Sequence, residues 1–254
     1  MKWTKRQMMA VRMAREIKNG KTYITGTGLP LIAVSLAKNM HAPDACVILE
    51  TGYIDPTMGE VPTSVSDLRV TSKTSVIWPQ YSYFGYQKIS SVRGQVEAGI
   101  IGGAQIDPFG NLNSTCIGDY WAPDHRFTGS GGANGIATYC NTFIVMKHEK
   151  KRFSKQVDYV TSPGWIDGPD GREKVGLPPN HGPRLVITEM GVMRFDEKTK
   201  RIYLAEHYPD VSIEEIVENT GFEMDVSKAV ESEPPTNEEM TLLLEKIDPQ
   251  RFMI

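Results

Sequence analysis

The stretch from Lys21 to Glu50 constrains this chain more than any other. KTYIT reads as a short strand, GTGLP as a tight turn, LIAVSLAKNM as a buried helix and ACVILE as a second strand. Two strands joined through a helix run parallel, because a hairpin turn can only connect antiparallel neighbours. The unbroken apolar run of ACVILE suits a strand covered on both faces. The expected fold is therefore α/β, an open and mainly parallel sheet with helices on both faces. A chain of 254 residues fits one such domain spanning 1–254.

The flanking sequence extends this pattern. Met9, Met13 and Ile17 stand four apart and predict a helix over Lys5 to Lys18, stopped by Asn19-Gly20. SVIWP, AGIIGGAQI and NTFIVMKH read as further strands. SPGWIDGPDGREKVGLPPNHGP is crowded with Gly and Pro and reads as a long ordered loop, too polar for the core and suited to a partner contact. LVITEMGVMRFDEKTKRIYLAEHY gives a strand pair turning at DEKTK. Ser212 is placed to cap a helix with Glu214 and Glu215 in its first turn. Thr236 and Glu239 have the spacing of a capping box.

Composition narrows the function mainly by exclusion. A formal charge of −3 offers no basic face for nucleic acid or an anionic membrane. Apolar runs such as Leu29 to Ala37 are too short to span a bilayer. The opening MKWTKRQ lacks the apolar core of a secretory signal, so a cytoplasmic location is expected. Cys46, Cys116 and Cys140 are too widely spaced for a zinc knuckle or a redox pair and read as reduced packing thiols. His41, His125, His181 and His207 share no ligand spacing, and His148 in KHEKKR reads as a solvated helix start. Neither HExxH nor GxSxG occurs, so no metal site or hydrolase elbow is expected.

Four segments could carry chemistry. Glu50 ends an apolar strand and precedes Thr51-Gly52. Ligands collect beyond the carboxyl ends of strands in open α/β sheets, where a partly desolvated carboxylate is a sharper nucleophile. The alternative is a charge marking where the strand meets solvent. GTGLP resembles a phosphate cradle, but it lacks the third glycine of the dinucleotide fingerprint, and a tight turn with Pro30 at the first helical position explains it better. Gly102-Gly103, followed by the DPFGN turn, implies close approach by a ligand or a neighbouring strand. GSGGANG, Gly129 to Gly135, carries more glycine than one turn needs and suggests amides arrayed towards an anion or a developing oxyanion; a merely flexible loop is the alternative, against which the flanking apolar residues argue.

Longer strings join these pieces. GTGLPLIAVSLAKNMHAPD, VILETG, IGGAQIDPFGNLNSTCIGDY, FTGSGGANGIATYCNT, DYVTSPGWIDGPDGRE and ENTGFEMDVSKAVE resemble, in this order and over nearly the whole chain, the beta-type subunit of family I coenzyme A transferases. The resemblance implies a ping-pong transfer of CoA through a glutamyl-CoA thioester, with Glu50 of the Glu50-Thr51-Gly52 setting as the nucleophile. It implies Gly132, within Gly129, Gly131, Gly132 and Ala133, as the oxyanion donor. Asn113, with Asn111 as the alternative, Gly131 and Ala133 are the implied CoA contacts. CoA enters as the thioester substrate, and no cofactor is implied. A dicarboxylate such as glutaconate is the implied acceptor, and acetyl-CoA the implied donor. An alpha-type subunit is the implied partner, with alpha-beta pairs repeating up to an octamer. Relatives of this fold that act as acyl-CoA decarboxylases or hydrolases lack the glutamate, so Glu50 favours transfer over those activities and over a non-catalytic scaffold subunit.

Overall fold

The protein is described here by a computed structural model covering residues 2–57, 61–64, 67–71, 73–79, 82 and 95–254. The chain divides into two compact units, 1–100 with 234–254, and 101–233.

In the first unit, helix α1 (Lys5–Ala14) starts at Thr4, whose hydroxyl accepts the Gln7 amide while the Gln7 side chain returns to the Thr4 amide. The helix stops short of the Asn19-Gly20 signal. Glu16 and Ile17 instead donate to Met13 and Ala14, three residues back, tightening the last turn. Ile17 is still buried, so the apolar period survives the end of the helix. Strand β1 (Thr22–Thr25), helix α2 (Leu29–Lys38) and strand β2 (Cys46–Leu49) form the βαβ unit read from the sequence. Gly28 caps α2 with a φ of 82°, which places Pro30 second in the helix rather than first. β1 pairs in parallel with β2 and with β5 (Val96–Ile101). Two short antiparallel strands, β3 (Tyr53–Ile54) and β4 (Val76–Ile77), complete the order β5-β1-β2-β3-β4. Met8, Val11 and Met13 of α1, Ile32 and Leu36 of α2, and Ile24 and Ile48 of the strands form its core.

The C-terminal segment returns to this unit. Thr236 and Glu239 make the expected capping box at helix Asn237–Thr241, which continues as a π-helical turn over Leu242–Ile247. Arg15 clasps the Glu239 carboxylate with two hydrogen bonds of 2.8 Å and reaches the Pro234 carbonyl, fixing that helix against the end of α1.

The second unit opens with two small hairpins, β6–β7 (Gln105–Ile106, Leu112–Asn113) and β8–β9 (Cys116–Gly118, Pro123–Arg126). Helix α3 (Ala133–Tyr139) follows the glycine-rich segment. Strand β10 (Thr142–Val145) runs parallel to β11 (Pro183–Ile187). Antiparallel β12 (Gly191–Phe195) and β13 (Ile202–His207) turn at the expected DEKTK, and β14 (Val230–Glu231) lies parallel to β13. Ser212 caps helix Ile213–Glu218 as read from the sequence. The α/β class holds: parallel pairs carry β5-β1-β2 and β10-β11, and antiparallel strands widen each group.

Candidate active site

Glu50 is the first residue beyond β2, half-buried, in a turn closed by the Gly52 amide donating to the Leu49 carbonyl at 2.9 Å. Gly52 is held there by sterics. Its φ is +92°, and a Cβ would run into the backbone carbonyl of Trp78. The Trp78 amide donates to the Gly52 carbonyl at 2.8 Å, so the turn is clamped to the segment after β4. On the other side the Asp55 amide donates to Val47 at 2.7 Å, and the Asp55 carboxylate pairs with Lys38 of α2. A helix, a strand and a tight turn thus fix the carboxylate-bearing residue. Thr51, next to Glu50, holds a buried hydroxyl oxygen without a hydrogen-bond partner among the described residues.

The glycine-rich segment hangs from the β8–β9 hairpin. Phe127 and Gly129 donate to the Thr115 and Ser114 carbonyls at 2.9 and 3.1 Å. Gly129 and Gly131 sit at φ +90° and +51°, which explains two of the glycines by backbone conformation. Gly132 is buried and has φ −75°, ψ −9°, a helical conformation open to any residue, and it begins α3. The Ala133 amide is spent within the turn on the Ser130 carbonyl at 3.0 Å. The helix behind the segment is anchored at both ends. The Asn134 amide side chain donates to the Thr161 carbonyl at 2.7 Å. Arg172 donates to the Ala137 and Thr138 carbonyls of the last turn at 3.2 and 2.7 Å, and to Gly164 and Pro178 at 2.9 Å each.

Arg172 is 1% exposed and lies in the segment expected to be a polar loop. That expectation is corrected in part: Ser162, Trp165 and Arg172 are buried, and Gly171–Lys174 makes a short helical turn. The segment became core because the polar groups of Trp165 and Arg172 found backbone carbonyls as partners. Burial pushes the guanidinium pKa down to about 10, still far above neutrality, and backbone carbonyl dipoles at the end of α3 face the charge. Nothing in the sequence spacing marks this arginine apart from the others.

The two asparagines are both inside the protein. Asn113 is fully buried; its amide donates to Gln105 and to the Cys116 carbonyl at 2.7 and 2.6 Å, and its oxygen accepts the Thr115 and Cys116 amides. Asn111 binds the Asp107 carboxylate and the Ile166 carbonyl at 2.8 Å each and accepts the Gly164 amide, joining the DPFGN turn to the long loop. For the paired glycines the neighbouring-strand alternative holds, since a Cβ on Gly102 would stand 3.0 Å from the Val145 carbonyl of β10.

His148 is the plain correction. Instead of starting a solvated helix it is 1% exposed, stacked on Phe153 at 4.1 Å, with its ring nitrogens against the Thr188 and Thr220 hydroxyls. Burial lowers its pKa to about 4, so it is neutral at physiological pH and serves packing. The charged residues around it in KHEKKR hid one inward-facing ring. All three cysteines are free thiols, as read. Among the described residues no cluster of His, Cys, Asp or Glu could hold a metal, and no helix is long and apolar enough to cross a membrane. A hollow of about 610 Å³ in the second unit, lined in part by Trp165, Arg184, Arg194, Lys200 and Tyr203, includes none of the expected site residues.

These features, a strand-end carboxylate on a clamped turn and a rigidly backed glycine segment, meet the comparison with known proteins on common ground. The Coenzyme A transferase family matches residues 6–219. The chain belongs to that family and is by class a CoA-transferase. One of the subunits of glutaconate CoA-transferase from Acidaminococcus fermentans is 54% identical over 253 residues, 99% of this chain and 95% of that protein. The equivalent subunit of 3-oxoadipate CoA-transferase from Pseudomonas knackmussii is 34% identical, over 93% of this chain and 90% of that one. The crystal structure of the Acidaminococcus enzyme matches with a TM-score of 0.97, covering 99% of this chain and 97% of its counterpart. The decarboxylase AibA/AibB shares the fold at a TM-score of 0.82 and 22% identity, covering 98% and 97%.

Proposed function

We propose that this chain is the nucleophile-bearing subunit of an acyl-CoA:dicarboxylate CoA-transferase, working by ping-pong chemistry through Glu50. The Glu50 carboxylate attacks the acyl-CoA carbonyl; the C–S bond breaks, and CoA leaves as thiolate from a mixed anhydride. The thiolate then attacks the Glu50 carboxyl carbon, releasing the donor acid as carboxylate and leaving a glutamyl-CoA thioester. The acceptor carboxylate reverses both steps. No electron or net proton is exchanged, so the cycle runs without a cofactor.

The observation that carries this reading is the clamped Glu50-Thr51-Gly52 turn at the carboxyl end of β2. It occurs in a chain 54% identical to a glutaconate CoA-transferase subunit. That likeness supports glutaconate or a similar dicarboxylate as acceptor and an alpha-type subunit as partner; acetyl-CoA as donor, repeating alpha-beta pairs and a cytoplasmic location are proposed with it. Gly132 is the proposed oxyanion donor. Gly131 and Ala133 are proposed to flank CoA. Asn113 contributes from behind the surface, because its own hydrogen bonds hold the Gln105–Cys116 framework.

The test is chemical. The assembled enzyme, given acyl-CoA without acceptor, should accumulate the thioester on Glu50. Borohydride, which reduces a thioester and spares a carboxylate, should then inactivate it, and mass spectrometry should find the reduced side chain in the peptide containing ACVILETGYIDP. Glu50→Gln should abolish transfer, because a neutral amide of the same shape is a poor nucleophile. Near-normal transfer by Glu50→Gln, or a label on another residue, ends this reading.

A further inference from the structure

The buried hydroxyl beside the nucleophile needs an explanation. Thr51 stands at the third position of the turn closed from Gly52 to Leu49, and its Oγ1 is shielded from solvent and has no hydrogen-bond partner among the described residues. Buried polar groups are almost always paired, and an unpaired one costs stability. Valine has nearly the same shape, suits the same backbone, and would bring no such cost. The β-branched side chain also has few rotamers, so the hydroxyl is held in a narrow range of directions.

We propose that the Thr51 hydroxyl donates a hydrogen bond to the oxyanion that forms on Glu50 itself, a proposal that rests on Glu50 being the nucleophile. The glutamyl carbonyl carbon is attacked twice in each turnover, by the CoA thiolate at the anhydride and by the acceptor carboxylate at the thioester. Each attack opens the C=O bond and moves an electron pair onto a Glu50 oxygen; the pair returns when the leaving group departs. Thr51 keeps its proton throughout. That oxyanion is tethered to residue 50, so a donor on the adjacent residue of the same rigid turn serves it at both steps. A donor unpaired among the described residues breaks no bond to them in order to act. Its interaction therefore falls on the transition state rather than the ground state, where it raises the rate.

The experiment compares Thr51→Val and Thr51→Ser with the parent in the assembled complex, measuring kcat, KM, melting temperature and borohydride trapping at Glu50. Thr51→Val should lower kcat roughly a hundredfold, the loss typical of one oxyanion donor, with KM little changed. Its melting temperature should equal or exceed the parent's, because an unpaired buried hydroxyl has been removed. Thr51→Ser should restore kcat. Trapping should be slow in Thr51→Val and fast in the other two. A Thr51→Val enzyme that traps and turns over like the parent overturns the proposal. So does one whose activity falls only in step with a lowered melting temperature, the mark of a packing role. If the parent itself carries no label on Glu50, the nucleophile reading has failed, and that result is separable because it appears before any Thr51 variant is made.

Discussion

Two glycines, one in each compact unit, show how differently the same residue can be required. Gly52 is dictated by its surroundings: its φ is +92°, and a side chain would collide with the Trp78 carbonyl. Gly132 has a φ of −75° and ψ of −9°, which every residue adopts. The backbone at 132 therefore gives no conformational reason for glycine, which is what the proposed approach of a ligand to its amide would require. A glycine whose conformation demands it argues for architecture. A buried glycine whose conformation does not demand it argues for a site. By this test Gly52 builds the turn that holds Glu50, and Gly132 stands as the proposed oxyanion position.

The sharpest way to break that distinction is to give each glycine a side chain. Gly132→Val should lower turnover by roughly two to three orders of magnitude, the loss typical of one oxyanion donor, in a complex that still assembles and melts near the parent temperature. A fully active Gly132→Val enzyme removes the residue from the site. If activity and stability instead fall together, Gly132 is an architectural glycine like Gly52 and the contrast collapses.

Gly52→Ala should behave in the opposite sense. The added Cβ meets a backbone atom and the φ is unfavourable, so stability should fall by about 1–3 kcal/mol, read as a lower denaturation midpoint. Activity should suffer only as far as the Glu50 turn is displaced. A Gly52→Ala protein as stable as the parent would mean that the clamp to Trp78 yields easily and does not fix the carboxylate.

What was legible in the sequence follows the same line. The βαβ unit could be read because periodicity and turn residues act locally: TYIT, LPLIAVSLAK and CVIL became β1, α2 and β2 with small shifts at their ends. The Thr236–Glu239 box and the DEKTK turn were likewise local. The case for Glu50 as the proposed nucleophile came from its place at a strand end and from the resemblance of long strings, not from composition. Residues whose meaning depends on distant partners were not legible. His148 sits in a run of charges, yet its ring lies between Thr188 and Thr220. Arg172 looks like any loop cation, yet its partners lie as far back as Ala137 in sequence. That the Thr51 hydroxyl lacks a partner among the described residues is invisible until its neighbours are in place.

Arg172 offers the finest adjustment of the comparison, because it acts on the glycine segment only through the helix behind it. Its planar fork spreads donors over Ala137 and Thr138 at the end of α3 and over Gly164 and Pro178 in the long loop. Arg172→Lys keeps the charge but replaces the fork with a single point carrying three hydrogens, which cannot reach carbonyls set that far apart. One or two buried carbonyls lose a donor, at a cost of about 1–2 kcal/mol, or a melting temperature lower by roughly 2–8 °C for a chain of this size. The last turn of α3 loosens, and Gly132 at the other end of the helix shifts slightly. Turnover should therefore drop by less than the Gly132→Val loss, with the effect deepening as temperature rises towards the lowered midpoint. A large drop in turnover at unchanged stability would give Arg172 a direct part in the reaction. No change in either would mean that the glycine segment is held by the Asn134–Thr161 contact and the β8–β9 hairpin alone.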